Sequence, residues 1–206
     1  MYANHMGRRS DHSRAELREL ILTEGHAQMA ASGFATFSAR AVAKAVGYTV
    51  GTIYNVFGTH DELVLAINAR TVEQWTAELR ARLEKVQDDR IGELVRGYFD
   101  FALTNRHAWA AIYDHRLPDN ADIPDWYVAI VAELTGTMRC EVQRVLPAAS
   151  RDQVAAFSRS LLASVHGHCV FALNGTFAQL GEAAPLEAAL ARVREAISSA
   201  ERTYLS

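Results

Sequence analysis

Residues 37–63, FSARAVAKAVGYTVGTIYNVFGTHDEL, constrain the chain more than any other stretch, because two helix starts, two helix stops and a tight turn fall within one short segment. Val42, Ala43 and Val46 follow Ser38 at helical spacing, and serine is a good N-cap. Gly47 stands where a helix ends in a left-handed residue, a conformation that glycine adopts at little cost. Thr49 then caps a second helix, whose Ile53 and Phe57 share one face while Gly51, Thr52, Tyr54 and Asn55 look outward. Ala43 keeps its side chain small where the two helices cross. A helix-turn-helix needs that closeness; a general helical hairpin does not.

In a helix-turn-helix the second helix lies in the DNA major groove with its N-terminal residues nearest the bases. The outward Thr-x-Gly-Thr-x-Tyr-Asn face suits that position, since hydroxyls and amides bond phosphates and base edges, and glycine lets the backbone approach. At this point the segment resembles the DNA-binding domain of TetR-type transcriptional regulators. The resemblance runs through Ala43, Gly47, Thr49, Gly51, Thr52, Ile53, Tyr54, Phe57 and the Asp61-Glu62-Leu63 helix start, and covers roughly residues 13–66. It implies that Thr49, Thr52 and Tyr54 meet phosphate or base and that Arg40 reaches the DNA backbone. The DNA-contacting set on this reading is Ser38, Arg40, Thr49, Val50, Gly51, Thr52, Tyr54, Asn55 and His60. His60 departs from the family pattern, which has a lysine at that place; an imidazole there either weakens a phosphate contact and ties it to pH, or is simply a solvated loop residue.

Charge is divided along the chain in the same sense. The net charge of -3 conceals six basic residues against four acidic ones up to residue 60, and 15 against 20 in the remainder. A mildly basic head on an acidic body fits DNA binding without establishing it. Two cysteines, Cys140 and Cys169, lack CxxC spacing, so reduced thiols are expected rather than a disulfide framework or a zinc ribbon. The chain shows neither an apolar run long enough to span a bilayer nor a signal-peptide pattern, so a cytoplasmic location is expected.

Three domains are expected: a disordered arm over 1–12, whose Arg8 and Arg9 could still track phosphates; a helix-turn-helix domain over 13–60; and an effector-binding and dimerisation domain over 61–206. The fold class is all-α throughout. Ser13 and Glu16 form a capping box that opens a helix running to Gly33, with Leu17, Leu20, Ile21 and Ala27 on its periodic face and Phe34 and Phe37 filling the head's core. Thr59 and Glu62 form a second box, opening a rod of some 25 residues that links head and body. Ser150 and Gln153 form a third. The helix that follows contains Gly167 and Gly175, which close approach of another helix would explain. A last helix begins near Pro185.

Long apolar seams on these last two helices, through Phe157, Leu161, Val165, Leu190, Val193 and Ile197, either pack inside the chain or pair with a second copy as a four-helix bundle. The resemblance implies the homodimer. Val165-His166-Gly167 resembles the Trp-His-Gly signature of one TetR subgroup, with valine in place of tryptophan. The candidate ligand-binding residues are Phe99, Trp109, Tyr113, Trp126, Tyr127, His166, Phe171 and Asn174; for any one of them packed core is the simpler explanation.

The reading that follows is a ligand-responsive regulator, a repressor that binds a palindromic double-stranded DNA operator as a dimer and is released by an apolar or aromatic small molecule. No cofactor is expected. An effector-independent DNA-binding dimer is the alternative. A metal site drawing on His166, Cys169, His107, Asp114 and His115, and a helical enzyme using His166 or His168, are remoter ones, since neither GxSxG nor HExxH is present.

Overall fold

A computed structural model describes residues 12–119 and 121–204. The expected arm therefore lies outside the described residues except for His12. Among the described residues the chain is all-helical, with no strand.

The head begins with α1 (Arg14–Ser32), opened by the expected capping box: Ser13 N–H donates to Glu16 Oε2 at 2.7 Å and Glu16 N–H to Ser13 Oγ at 3.3 Å. A 3-10 turn (Phe34–Thr36) leads to α2 (Ala39–Ala45) and α3 (Val50–Phe57), capped by the Ser38 and Thr49 side chains. Between them Gly47, at φ 79°, donates to Lys44 O at 3.3 Å, and Tyr48 N–H donates to Ala43 O at 2.9 Å. That crossed pair is the Schellman stop, which satisfies the carbonyls α2 would otherwise leave bare.

The head's core joins Ile21, Leu22 and Met29 of α1 to Val42, Ala43, Ile53 and Phe57. Ala27 is exposed, and buried Gly25 takes the inner position instead. A Cβ at Gly25 would sit 2.8 Å from Ile67 Cδ1, so glycine lets α1 and the next helix touch. Phe34 and Phe37 pack at the edge of this core, half-buried, rather than at its centre.

That next helix, α4 (His60–Leu83), belongs to two cores. Leu63, Val64, Ala66 and Ile67 close the head, whereas Val72, Trp75, Leu79 and Leu83 start the body. The head's core thus runs past residue 60 and takes in Ala111 of the body as well.

The body continues with α5 (Arg90–Thr104), α6 (Arg106–Asp114), α7 (Asp125–Val145), α8 (Arg151–Leu173), the single turn α9 (Thr176–Gln179) and α10 (Pro185–Tyr204). Trp75 lies at its centre, 1% exposed, stacked on Phe101 at 5.1 Å and met edge-on by Tyr98 at 4.9 Å. The two glycines expected inside one helix behave differently from that expectation. Gly175 lies outside α8, at φ 79° in the left-handed turn before α9, and Gly167 has no atom within 4 Å of where a Cβ would stand. Among the described residues no other helix approaches Gly167 closely.

Candidate nucleic-acid interface and the body behind it

On α3 the exposed groups are Gly51, Tyr54 and Asn55, with Thr52 half-buried and Val50 packed against the head's core. Tyr54 is 36% exposed, large for a tyrosine in so compact a helix pair. Thr49 accepts from Thr52 N–H at 3.2 Å, and the two threonine hydroxyls lie 3.0 Å apart. One of these hydroxyls donates to the other, so one proton of the pair is left to donate outward, and the free N–H groups of the first turn point the same way, which makes the start of α3 a favourable place for phosphate. Ser38 is occupied as the α2 cap, accepting from Ala41 N–H at 3.4 Å, which leaves its other lone pair and its proton unused by that bond. Arg40 and Lys44 are exposed on α2, and His60 is exposed at the first turn of α4, its ring 5.9 Å from that of Phe37. Behind this face the Arg18 guanidinium lies 5.2 Å over the Phe57 ring and steadies the back of α3.

The body meets the head mainly through α6. His107 Nδ1 lies 3.2 and 3.1 Å from the Ala30 and Ala31 carbonyls at the end of α1. Asn68, 1% exposed in the middle of α4, donates to Ala111 O at 3.1 Å. Buried His115 holds Asp61 Oδ1 through Nε2 at 2.9 Å, with Phe34 edge-on to its ring. Polar ties from α6 and from His115 just after it therefore join this part of the body to α1 and α4.

The opposite face of α6 carries Trp109 and Tyr113 into an aromatic cluster with Tyr98 and His166. Ring centroids of Tyr113 and His166 are 4.3 Å apart, and those of Trp109 and His166 are 5.3 Å apart. The Tyr98 hydroxyl bridges Tyr113 Oη at 3.2 Å and His166 Nδ1 at 2.8 Å. Burial lowers the His166 pKa, so the ring is neutral near pH 7 and accepts at Nδ1 from Tyr98, whose own pKa burial raises. Burial also pushes the Cys169 thiol up to about 12, which leaves it an inert packing group.

Of the candidate ligand-binding residues, Trp109, Tyr113 and His166 are thus brought together. Phe99 is buried in the body's core and Tyr127 packs on Leu65 and Ala69 of α4. Trp126 and Phe171 stand 43% and 42% exposed, and Asn174 ends α8 by accepting from Thr176 N–H at 3.0 Å. A small apolar cavity of about 50 Å³ lies elsewhere, walled by Ile91, Leu94, Val95, Tyr98, Met138, Val142, Ser158, Leu161, Leu162, Val165 and Val193. None of the eight candidates lines it. The candidate dimer seam also turns inward: Val165, Leu190 and Val193 are buried in the chain's own core, with Phe157, Leu161 and Ile197 packed beside them. The other faces of α8 and α10 are the open ones. Among the described residues no group of three or more His, Cys, Asp or Glu side chains is placed to hold a metal ion; His107 and His115 are tied to the head instead.

Two family models match this chain. One, described as bacterial regulatory proteins of the tetR family, covers residues 21–67, and the other, described as a tetracyclin repressor-like C-terminal domain, covers residues 91–197. The chain belongs to the TetR family of DNA-binding transcriptional regulators.

The HTH-type transcriptional regulator Rv1816 of Mycobacterium tuberculosis (strain ATCC 25618 / H37Rv) is 28% identical over 136 residues, which is 64% of this chain and 57% of that protein. Mb1846 of Mycobacterium bovis matches to the same extent. The chain therefore spans little more than half the length of the curated relatives it matches. A solved protein of unknown function from Rhodococcus sp. RHA1 has a TM-score of 0.72 at 19% identity, covering 94% of this chain and 98% of its own. The multidrug binding protein EbrR, complexed with imidazole, has a TM-score of 0.59 at 20% identity, covering 92% and 96%. At such identities the likeness establishes the fold alone.

A TetR regulator is not an enzyme, which removes the catalytic reading of His166 and His168. The head model ends at Ile67, the last α4 residue that packs into the head's core. Among the described residues no helix is long and apolar enough to cross a membrane. The functional features that sequence reasoning passed over are the ties of α6. Asn68 carried a signal, being an amide inside the run Leu63 to Ala69, whereas His107 and His115 carried none that distinguishes them from surface histidines.

Proposed function

We propose that this TetR-family chain is a ligand-responsive repressor that reads a palindromic operator as a homodimer through the exposed face of α3. The observation that carries the reading is the double engagement of α6. One face is hydrogen-bonded to α1 and α4 of the head through His107, Ala111 and His115, and the other carries Trp109 and Tyr113 against Tyr98, a wall of the cavity. A molecule entering beside Tyr98 displaces the hydroxyl that holds Tyr113, and α6 transmits the movement to α4 and so to α3. The effect requires a ligand that binds the displaced state better than the DNA-competent one; about 1.4 kcal/mol of that difference gives tenfold release.

Dimerisation uses the open faces of α8 and α10. Ala156, Ser160 and Ala163 are exposed on α8 in line with Gly167, and Ala191 and Ser198 are exposed on α10. Small residues there let two helix pairs approach closely, and Gly167 is then explained by the partner rather than by the chain itself. Two α3 helices related by a two-fold axis read half-sites about 34 to 36 Å apart, or a multiple of that distance.

Selection of bound fragments from sheared genomic DNA by the purified protein tests the reading. Enrichment of a palindrome, with affinity falling as salt rises in proportion to the phosphates contacted, supports it; enrichment of no sequence sinks it. The small volume of the cavity, about 50 Å³, favours a second reading, an effector-independent DNA-binding dimer. A palindrome whose binding no small molecule weakens would decide for that one.

A further inference from the structure

The wall of the cavity between α7 and α8 leads outward. Met138, Ser158 and Leu162 line both the cavity and an adjoining surface groove of about 210 Å³, so those three side chains separate the inner space from the outer one. Outside them the groove is flanked by Arg139 of α7 and Arg159 of α8, and no carboxylate is among its lining residues. Both arginines are exposed, and neither makes an ion pair in the structure.

At the threshold the Ser158 hydroxyl is buried and has no hydrogen-bond partner. Serines within helices commonly bond the carbonyl four residues back; this one does not, and a buried hydroxyl without a partner is destabilising. Beyond it the wall is aliphatic except for Tyr98, whose hydroxyl is already held by Tyr113 and His166. From surface to floor the order is therefore two unpaired cations, one free hydroxyl, then hydrocarbon.

We propose that this channel takes an amphipathic organic anion, a carboxylate on an unbranched apolar chain, with one carboxylate oxygen accepting from Ser158, the other facing Arg139 and Arg159, and the chain passing between Met138 and Leu162 into the cavity. The proposal rests on the effector reading above and names the effector's chemistry. The carboxylate satisfies the orphaned serine and offsets one of the two guanidinium charges while facing both, and the chain fills space bounded by Leu94, Val95 and Val165. Its inner end meets the Tyr98 ring, which places the ligand one residue from α6.

Calorimetric titration of the full chain with octanoate, octan-1-ol and octyltrimethylammonium tests the assignment. Octanoate is expected to bind at least about tenfold more tightly than the alcohol, as charge-assisted bonds at the mouth require, and the cation is expected to bind no better than the alcohol. The double variant R139S/R159S is expected to bring octanoate down to the alcohol's affinity and to leave the alcohol unchanged. Ser158→Ala is expected to raise the melting temperature of the free protein while weakening octanoate, a split that a merely structural serine would not give. Leu162→Trp, checked for a native melt, should abolish both. Equal affinity for anion and cation, indifference to the arginine substitutions, or no binding of octanoate overturns the proposal. Operator selection is independent of this titration, so a protein that enriches a palindrome yet ignores octanoate loses the ligand class while keeping its DNA-binding role.

Discussion

Head and body share α4 but build different kinds of core around its two halves. In the head, α4 supplies Leu63, Val64 and Ile67 to a core of aliphatic chains and Phe57, made tight by glycine and alanine at the crossings. In the body the same helix supplies Trp75 and Leu79 to a core of large rings, threaded by hydroxyls and an imidazole and left with an open cavity. A core of interlocked small aliphatics has little freedom to rearrange. Rings with polar tips and unfilled space beside them have more. On the proposed function, the difference puts precision where DNA is read and adaptability where a ligand is received, and α4 and α6 are the elements that join the two.

The largest expected effect tests whether the two cores are one cooperative unit. Trp75→Ala removes the ring between Tyr98 and Phe101 and is expected to lower stability by about 3–5 kcal/mol; Ile53→Ala in the head is expected to lower it by about 2–5 kcal/mol. Because α4 runs through both cores, each variant should shift a single urea transition followed by circular dichroism. A head transition that stays in place in the Trp75 variant would show that α4 does not couple the domains.

Next comes the reading face, where operator affinity and stability should separate. Tyr54→Phe removes an exposed hydroxyl and nothing from the core, so the melt should be unchanged while operator affinity falls about tenfold, the weight of one or two hydrogen bonds to DNA. Thr49→Ala should weaken the operator similarly and also cost about 1 kcal/mol as a lost helix cap. Fluorescence anisotropy with the selected operator measures both; unchanged affinity in Tyr54→Phe would move the reading face away from α3.

The same contrast explains what could be read from the sequence. Ser13, Ser38, Gly47, Thr49 and Thr59 each perform a local backbone task that only a few residue types perform, so the head's helices, their limits and the exposed side of α3 were legible, and the structure has them where they were expected. The starts of the body's α8 and α10 were legible too, from the Ser150 box and Pro185, although α8 ends before Gly175. The body's site was not. Leu94, Val142 and Val165 line a cavity with the same residue types that fill a core, and conspicuous rings such as Trp126 and Phe171 turned out to be exposed. Whether a helix's apolar stripe faces its own chain or a partner is likewise absent from the spacing, which is why Val165, Leu190 and Val193 read as a seam and are buried.

Asn68 bears on the link between the regions. Its amide donates to Ala111 O while its Oδ1 has no partner, so Asn68→Leu removes one hydrogen bond and one unsatisfied buried atom together. Stability should change by less than about 1 kcal/mol. The ligand's effect on operator affinity should shrink, since α6 then grips α4 only through His115. A full ligand response in this variant would take Asn68 out of the transmission path.

A last contrast sets two carboxylates against each other, one in each region. Glu16 closes the exposed capping box of α1, and hydrogen bonds from Ser13 hold its carboxyl below the usual range. Glu141 is buried on α7 and pairs with Arg90 at 2.7 and 2.9 Å; hydrogen bonding from Arg90 outweighs burial and holds its carboxyl low as well. Arg90 in turn reaches the carbonyl of Leu83, the last residue of α4, and that of Val86 just beyond it, so the pair anchors the helix at the body's side. Glu16→Gln should change little, because glutamine also closes the box. Glu141→Gln leaves the guanidinium without its counter-ion and should lower the urea midpoint at pH 7. A depressed folded pKa contributes stability that is present above the unfolded value and lost as pH falls through the folded one. The gap between wild type and Glu141→Gln should therefore be full at pH 6 and close only below about pH 4. A gap that closes between pH 6 and 5 would mean that burial, which raises the pKa, dominates at Glu141, and that the Arg90 pair does not anchor α4.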